Sequence, residues 1–200
     1  DTLHAAGLNH TRLFAGVYRE LPDSFGIPQN TLGPKPGRYA GPYARSDVPG
    51  AQDGGNKFDL DCWDEVFFQR LVDFCCKVSQ RSVVVEVNLF CPFYENVMGS
   101  RQWELSAWHP NNNVNDFGDV PLTEIFTQRH PAVQARQEAL VCEIVRRLNP
   151  LDNLFYEICN EPYFDGITLE WQGRIAEVIH ETESSLPFRH LASQNVANFY

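Results

Sequence analysis

The chain has 200 residues, 43% hydrophobic and 21% charged, with a formal net charge of −10 from 16 basic and 26 acidic side chains. That length suits one domain able to bury a core, and the acidic balance argues against nucleic acid or an anionic membrane surface as the main partner. No run of about 18 apolar residues occurs, so no membrane-spanning helix is expected. The opening Asp1-Thr2-Leu3-His4 shows neither the charged nor the apolar region of a signal peptide, which says nothing about export if the chain is a mature form or a fragment.

The first predicted strand covers about Leu8–Val17, centred on Thr11-Arg12-Leu13-Phe14. A long connection, about 18–60, follows it and is rich in Pro and Gly, as in Gly33-Pro34-Lys35-Pro36-Gly37 and Asp53-Gly54-Gly55. A helix is predicted over Asp64–Ser79, with Asp61 as its cap and Val66, Phe67, Leu71, Phe74, Cys75 and Val78 on its inward stripe. The second strand, Ser82–Cys91, has the β-branched density of a strand buried on both faces. A second long connection, about 92–130, leads to a helix over Pro131–Leu148, which opens on proline and ends at Asn149-Pro150. The third strand, Leu154–Cys159, stops abruptly at Asn160-Glu161-Pro162. A helix over Thr168–Leu186, capped by Thr168 and stopped by Pro187, precedes a fourth strand that starts at His190-Leu191-Ala192 and runs into Ser193-Gln194-Asn195.

Strands alternating with helices predict an α/β fold with a parallel sheet and helices outside it. A doubly wound sheet and part of a (β/α)8 barrel both fit. Neither GxGxxG nor GxxxxGK[ST] occurs, which disfavours a nucleotide-binding doubly wound sheet. Both long connections leave strand C-termini, where barrels build their sites, and are read as cleft walls. The chain is therefore expected to be a single partial barrel domain over residues 1–200.

Side chains alternate along a strand, so Phe155, Glu157, Cys159 and Glu161 should share one face, at least until the strand end distorts; if that face looks into the barrel, Glu161 lies at its mouth. A carboxyl in a partly dry pocket holds its proton more readily, as a general acid must. Asn160 could donate to a sugar hydroxyl, although Asn-Glu-Pro also suits a plain turn. Arg12, mid-strand, needs an anion and either orients a carboxylate at the mouth or forms a structural ion pair with Glu157 or Glu86. Glu86 and Asn88 make one face of the second strand polar, and Gln194, Asn195 and Asn198 cluster at the end of the fourth. Tyr39, Tyr43, Phe93, Tyr94, Trp103, Trp108 and Phe117 crowd the long connections, either as platforms for pyranose faces or as loop packing; His109 is a candidate donor to a hydroxyl or a surface histidine. The six cysteines, Cys62, Cys75, Cys76, Cys91, Cys142 and Cys159, read as free thiols, with one disulfide through Cys62 or Cys91 as the alternative. No metal-ligand spacing and no GxSxG is present.

Gly7-Leu8-Asn9-His10-Thr11-Arg12-Leu13-Phe14, the Val-rich strand leading to Asn88, and Tyr156-Glu157-Ile158-Cys159-Asn160-Glu161-Pro162 together resemble the clan A glycoside hydrolases, cellulase-like enzymes around glycoside hydrolase family five. The resemblance implies a (β/α)8 barrel, with the four strands as strands two to five, and a carbohydrate substrate with no cofactor or metal. It makes Glu161 the general acid/base, Asn160 a sugar ligand and Arg12 the holder of a nucleophilic glutamate. Trp108, His109, Asn88, Gln194 and Asn195 are the further candidate substrate contacts. That nucleophile would end a seventh strand outside this sequence, so a fragment of a longer polypeptide is expected. Two other readings stay open: a carbohydrate-binding pseudoenzyme on the same barrel, and an unrelated α/β enzyme with a coincidental Asn-Glu-Pro. The particular sugar, the compartment and the oligomeric state are not legible.

Overall fold

The computed structural model describes residues 1–22, 24–30, 33–35, 37–95 and 101–195. In chain order its elements are α1 (Thr2–Ala5), β1 (His10–Phe14), β2 (Tyr43–Pro49), β3 (Asn56–Trp63), α2 (Glu65–Ser79), β4 (Val84–Phe90), α3 (Gln102–Leu105), α4 (Pro131–Leu148), β5 (Leu154–Cys159), α5 (Leu169–Glu183) and β6 (Ala192–Ser193). Four strands form one parallel sheet in the order β1-β4-β5-β6. The fold is a mixed α/β arrangement with helices packed on that sheet.

The core lies between the sheet and its helices. Val85, Val87 and Leu89 of β4 are fully buried, as are Leu140, Val141, Ile144 and Val145 of α4 and Trp171 and Ile175 of α5. Phe90 stands edge-on to Trp171 with ring centres 5.0 Å apart. Helix α4 packs against both α5 and α2. The other face of β4 carries Glu86 and Asn88, and Val84 at its start is 41% exposed. That second face is open only toward the start of the strand, since Asn88 is buried and so is Phe90.

The first long connection departs from expectation, because it contains an antiparallel hairpin, β2 paired with β3. Asp53-Gly54-Gly55 makes its turn, with Gly54 at φ +83° and the Ala51 amide donating to the Gly55 carbonyl. The period-two pattern Lys57-Phe58-Asp59-Leu60 buries Phe58 and Leu60, each 2% exposed. The second connection packs on this hairpin. The Val114 amide donates to the Phe58 carbonyl at 3.0 Å, and Trp108 Nε1 donates to the Tyr43 hydroxyl at 3.2 Å.

Helix α2 begins one turn away from the cap expected. Asp64, not Asp61, accepts from the Val66 and Phe67 amides. Asp61 lies in β3 and faces Arg136 at 3.2 Å. The resulting register buries Phe68, Leu71 and Cys75, and leaves Val66 64% and Phe74 36% exposed. Helix α5 stops at Glu183, before Pro187, because the Arg189 guanidinium takes the carbonyls of Glu183, Ser184 and Leu186. All six cysteines are free thiols, with Cys75, Cys91 and Cys159 buried and Cys62 exposed.

Candidate functional site

The parallel register brings polar groups of three strands together. It aligns Arg12 with Glu86 and Asn88 with Glu157. Glu157, 3% exposed, is the hub. Arg12 Nη2 and Asn88 Nδ2 donate to one of its oxygens, the latter at 2.6 Å, and Asn195 Nδ2 donates to the other at 3.2 Å. A buried carboxylate needs such partners. Arg12 Nε also lies 3.3 Å from Glu86, and its Nη2 donates to Asn160 Oδ1 at 3.1 Å. Burial pushes the Glu86 carboxyl up, Arg12 opposes that, and Glu157 adds to it. Arg12 thus forms the ion pairs with both Glu157 and Glu86.

Beyond Cys159 the strand geometry ends. The Asn160 amide still donates to the Phe90 carbonyl at 2.9 Å, but Glu161 sits at φ +41°, an uncommon conformation for a residue with a side chain. Strand alternation therefore does not set where Glu161 points, because the strand end distorts there. Its direction is fixed by two phenols. The Tyr94 hydroxyl donates to Oε2 at 2.5 Å and the Tyr163 hydroxyl to Oε1 at 2.7 Å. Tyr94 in turn accepts from Asn160 Nδ2 at 2.9 Å. A continuous chain runs from Glu157 through Arg12, Asn160 and Tyr94 to Glu161.

Tyr94 is itself held. Asp165 accepts from the Phe93 and Tyr94 amides at 2.6 and 3.1 Å. Burial first, then the neighbouring Cys91 and Glu161, push the Tyr94 phenol well up, so it remains a donor. Tyr163 is different, because it is 39% exposed. A hydroxyl can donate or accept. With Glu161 protonated, the Tyr163 hydroxyl can accept the acid's hydrogen bond while Tyr94 still donates. Glu161 is itself only partly buried, so it can meet a ligand from solvent.

The other sequence candidates are placed as follows. Asn88 and Asn195 belong to the Glu157 cluster. Gln194 does not, because its Nε2 donates to Gln172 of α5 at 3.2 Å. Beyond β6 successive side chains still alternate, which sends Asn195 inward and Gln194 outward. Asn198 lies outside the described residues. Trp108 is 1% exposed, packed against Phe90 and Phe126, so its ring is no sugar platform. Tyr43, Phe93, Tyr94 and Trp103 are also buried. Tyr43 of the hairpin holds Trp108, Phe93 packs between Trp103 and Phe126, and Tyr94 packs among Tyr18, Phe25 and Phe164. His109 accepts from the Asn111 amide at 3.1 Å, meets Gln52 at 3.2 Å and packs on Trp103. It holds the loop wall and makes no bond in the Glu161 chain; burial pulls its ring down, toward the neutral form.

Sequence reasoning missed the paired phenols on Glu161, although Tyr163 follows Asn-Glu-Pro directly. It also missed Phe25, 38% exposed and edge-on to Tyr94 at 5.9 Å. Among the described residues no group of three or more His, Cys, Asp or Glu is placed to hold a metal ion, and no helix is long and apolar enough to cross a membrane.

No protein-family model matches the sequence, and no curated protein does. Among solved structures, the chain matches a protein of Bacteroides vulgatus ATCC 8482 provisionally assigned as a glycoside hydrolase, with a TM-score of 0.60 and 17% identity over 96% of this chain. The fold is glycoside hydrolase-like. The chain spans 30% of that protein's length. A second match, to the exo-beta-1,4-mannosidase Op5Man5 of Opitutaceae bacterium strain TAV5, has a TM-score of 0.48 and 16% identity, covering 91% of this chain and 25% of that one.

Proposed function

We propose that this chain is part of a retaining β-glycoside hydrolase built on a (β/α)8 barrel, cellulase-like and of clan A, with Glu161 as general acid/base. The observation that carries the reading is the placement of Glu161. It lies just past the C-terminal end of a central parallel strand, partly open to solvent, with both oxygens oriented by hydroxyls. Enzymes of this type pair it with a second carboxylate about 5–5.5 Å away. In the first step Glu161 gives its proton to the glycosidic oxygen as the C–O bond breaks, and the nucleophilic carboxylate bonds to the anomeric carbon. In the second step Glu161, now a carboxylate, takes a proton from the water that displaces the nucleophile. No residue of this sequence is assigned as nucleophile, so the isolated chain is not expected to turn over. Asn160 and Arg12 act as positioning residues through the chain to Tyr94.

Glu161→Gln in the complete protein should reduce turnover of a poorly activated glycoside by about 10²–10⁴-fold. Undiminished turnover would remove Glu161 from the role.

The second reading is a carbohydrate-binding pseudoenzyme. It is favoured by the commitment of Arg12 to Glu157 and Glu86, ion pairs made with carboxylates of this sequence. Saturable sugar binding by the wild-type complete protein, with no release of reducing sugar, would select it.

A further inference from the structure

Away from Glu161, the connection after β1 and the hairpin β2–β3 line a half-open cavity of about 440 Å³. That volume falls within the roughly 300–1,000 Å³ of small-molecule sites. Arg19, Lys35 and Arg45 line it, with Asp53, Tyr39 and Asn56. Asp53 meets Arg19 at 2.9 Å and Arg45 at 2.5 Å. These pairs fasten the hairpin to the connection after β1. They do not neutralise the cavity, because one carboxylate faces three cations. The Lys35 ammonium has no partner among the described residues, and Arg19 Nε is buried without a hydrogen-bond partner among them. In a chain of net charge −10 the local excess is of the opposite sign.

The walls are held in place. The Arg19 guanidinium lies 4.5 Å from the centre of the Tyr39 ring, and that of Arg45 lies 3.6 Å from the centre of the Phe58 ring. Arginines fixed in this way present their remaining N–H groups at little entropic cost, and planar guanidinium matches a carboxylate. Tyr39 backs Arg19 and packs edge-on against Phe58, which holds the wall in place. Arg19 follows Tyr18, whose ring meets Tyr94 edge-on at 6.4 Å. The cavity is therefore on the same end of the sheet as Glu161.

We infer that this cavity is a subsite for the carboxylate-bearing unit of an acidic saccharide, a uronate. The cations bind the carboxylate. This inference rests on the carbohydrate reading above for its choice of a sugar over another small carboxylate.

The test is calorimetric titration of the complete protein with D-glucuronate, D-glucose and inorganic phosphate. Glucuronate should bind at least about tenfold tighter than either of the others, and added sodium chloride should weaken it. Lys35, exposed and unpaired, can be changed without disturbing the core. Lys35→Glu should weaken glucuronate at least about tenfold with an unchanged circular dichroism spectrum, and Lys35→Arg should restore it. Equal affinity for glucuronate and glucose, or no change in Lys35→Glu, would overturn the subsite. Phosphate binding as tight as glucuronate would overturn the uronate assignment. Glu161→Gln should bind glucuronate as the wild type does, so lost turnover and lost uronate binding report on different claims.

Discussion

Tyr94 donates to one oxygen of Glu161 while accepting from Asn160, so a single buried hydroxyl joins the acid to the Arg12 cluster. Hydrogen bonds to charged groups contribute about 1.5–3 kcal/mol. Tyr94→Phe should lower unfolding free energy by about that much, read from urea titration, and should also slow turnover in the complete protein. A stability loss with unchanged turnover would make Tyr94 structural only. Arg12 holds Glu157, which is almost wholly buried. Breaking one side of a buried pair costs about 3–5 kcal/mol; the Arg12 side chain is 37% exposed, so Arg12→Ala should fall below that range. Denaturation of Arg12→Ala beside Asn88→Ala would show whether the two share Glu157, through a non-additive double mutant.

The hairpin and the helix caps are the elements where position matters most. Asp64 takes two amides at the start of α2, so Asp64→Ala should cost about 0.5–2 kcal/mol. Asp61→Ala removes a solvent-exposed pair with Arg136 and an exposed hydrogen bond from Asn115, and should change stability by less than about 1 kcal/mol. Urea titration of both variants separates the true cap from its neighbour. Asp53 ties the hairpin down. Burial opposes its charge, but hydrogen bonds from Arg45, Arg19 and the Gly55 amide hold its carboxyl at about 2 instead of 3.8. A depressed carboxyl stabilises the fold fully above its unfolded value and loses that effect as pH falls through the folded one. The stability gap between wild type and Asp53→Asn should therefore be largest above about pH 5 and close toward about pH 2.

Across the whole molecule, β4 and β5 are paired on both sides, whereas β1 and β6 each have one neighbour among the described residues. Amides in strands flanked on both sides open least. Hydrogen exchange on the 200-residue chain should therefore be slowest in β4 and β5 and faster in β1 and β6. Equal protection of β1 and β4 would mean that β1 is covered on its second side. Within this frame Glu161, at the end of β5, and the cationic cavity, beside the connection after β1, both lie where chain leaves the C-terminal ends of parallel strands.

Local periodicity made much of this legible. Helix α4 spans Pro131–Leu148 and β5 spans Leu154–Cys159, as their apolar patterns require. The polar pair ending β5 marks the candidate acid. The hairpin was present as alternation around Phe58 and Leu60, but the Pro and Gly around it read as a plain loop. Other facts came only with the tertiary structure. Glu157 and Glu86 were both candidate partners of Arg12 from the sequence, and packing gave it both; Tyr94 meets Glu161 across 67 positions with no such forewarning. Periodicity reports which side of its own element a residue faces. It carries no record of which distant element lies opposite. Trp108 in the core, Gln194 on α5 and Arg19 beside Arg45 were decided by that packing alone.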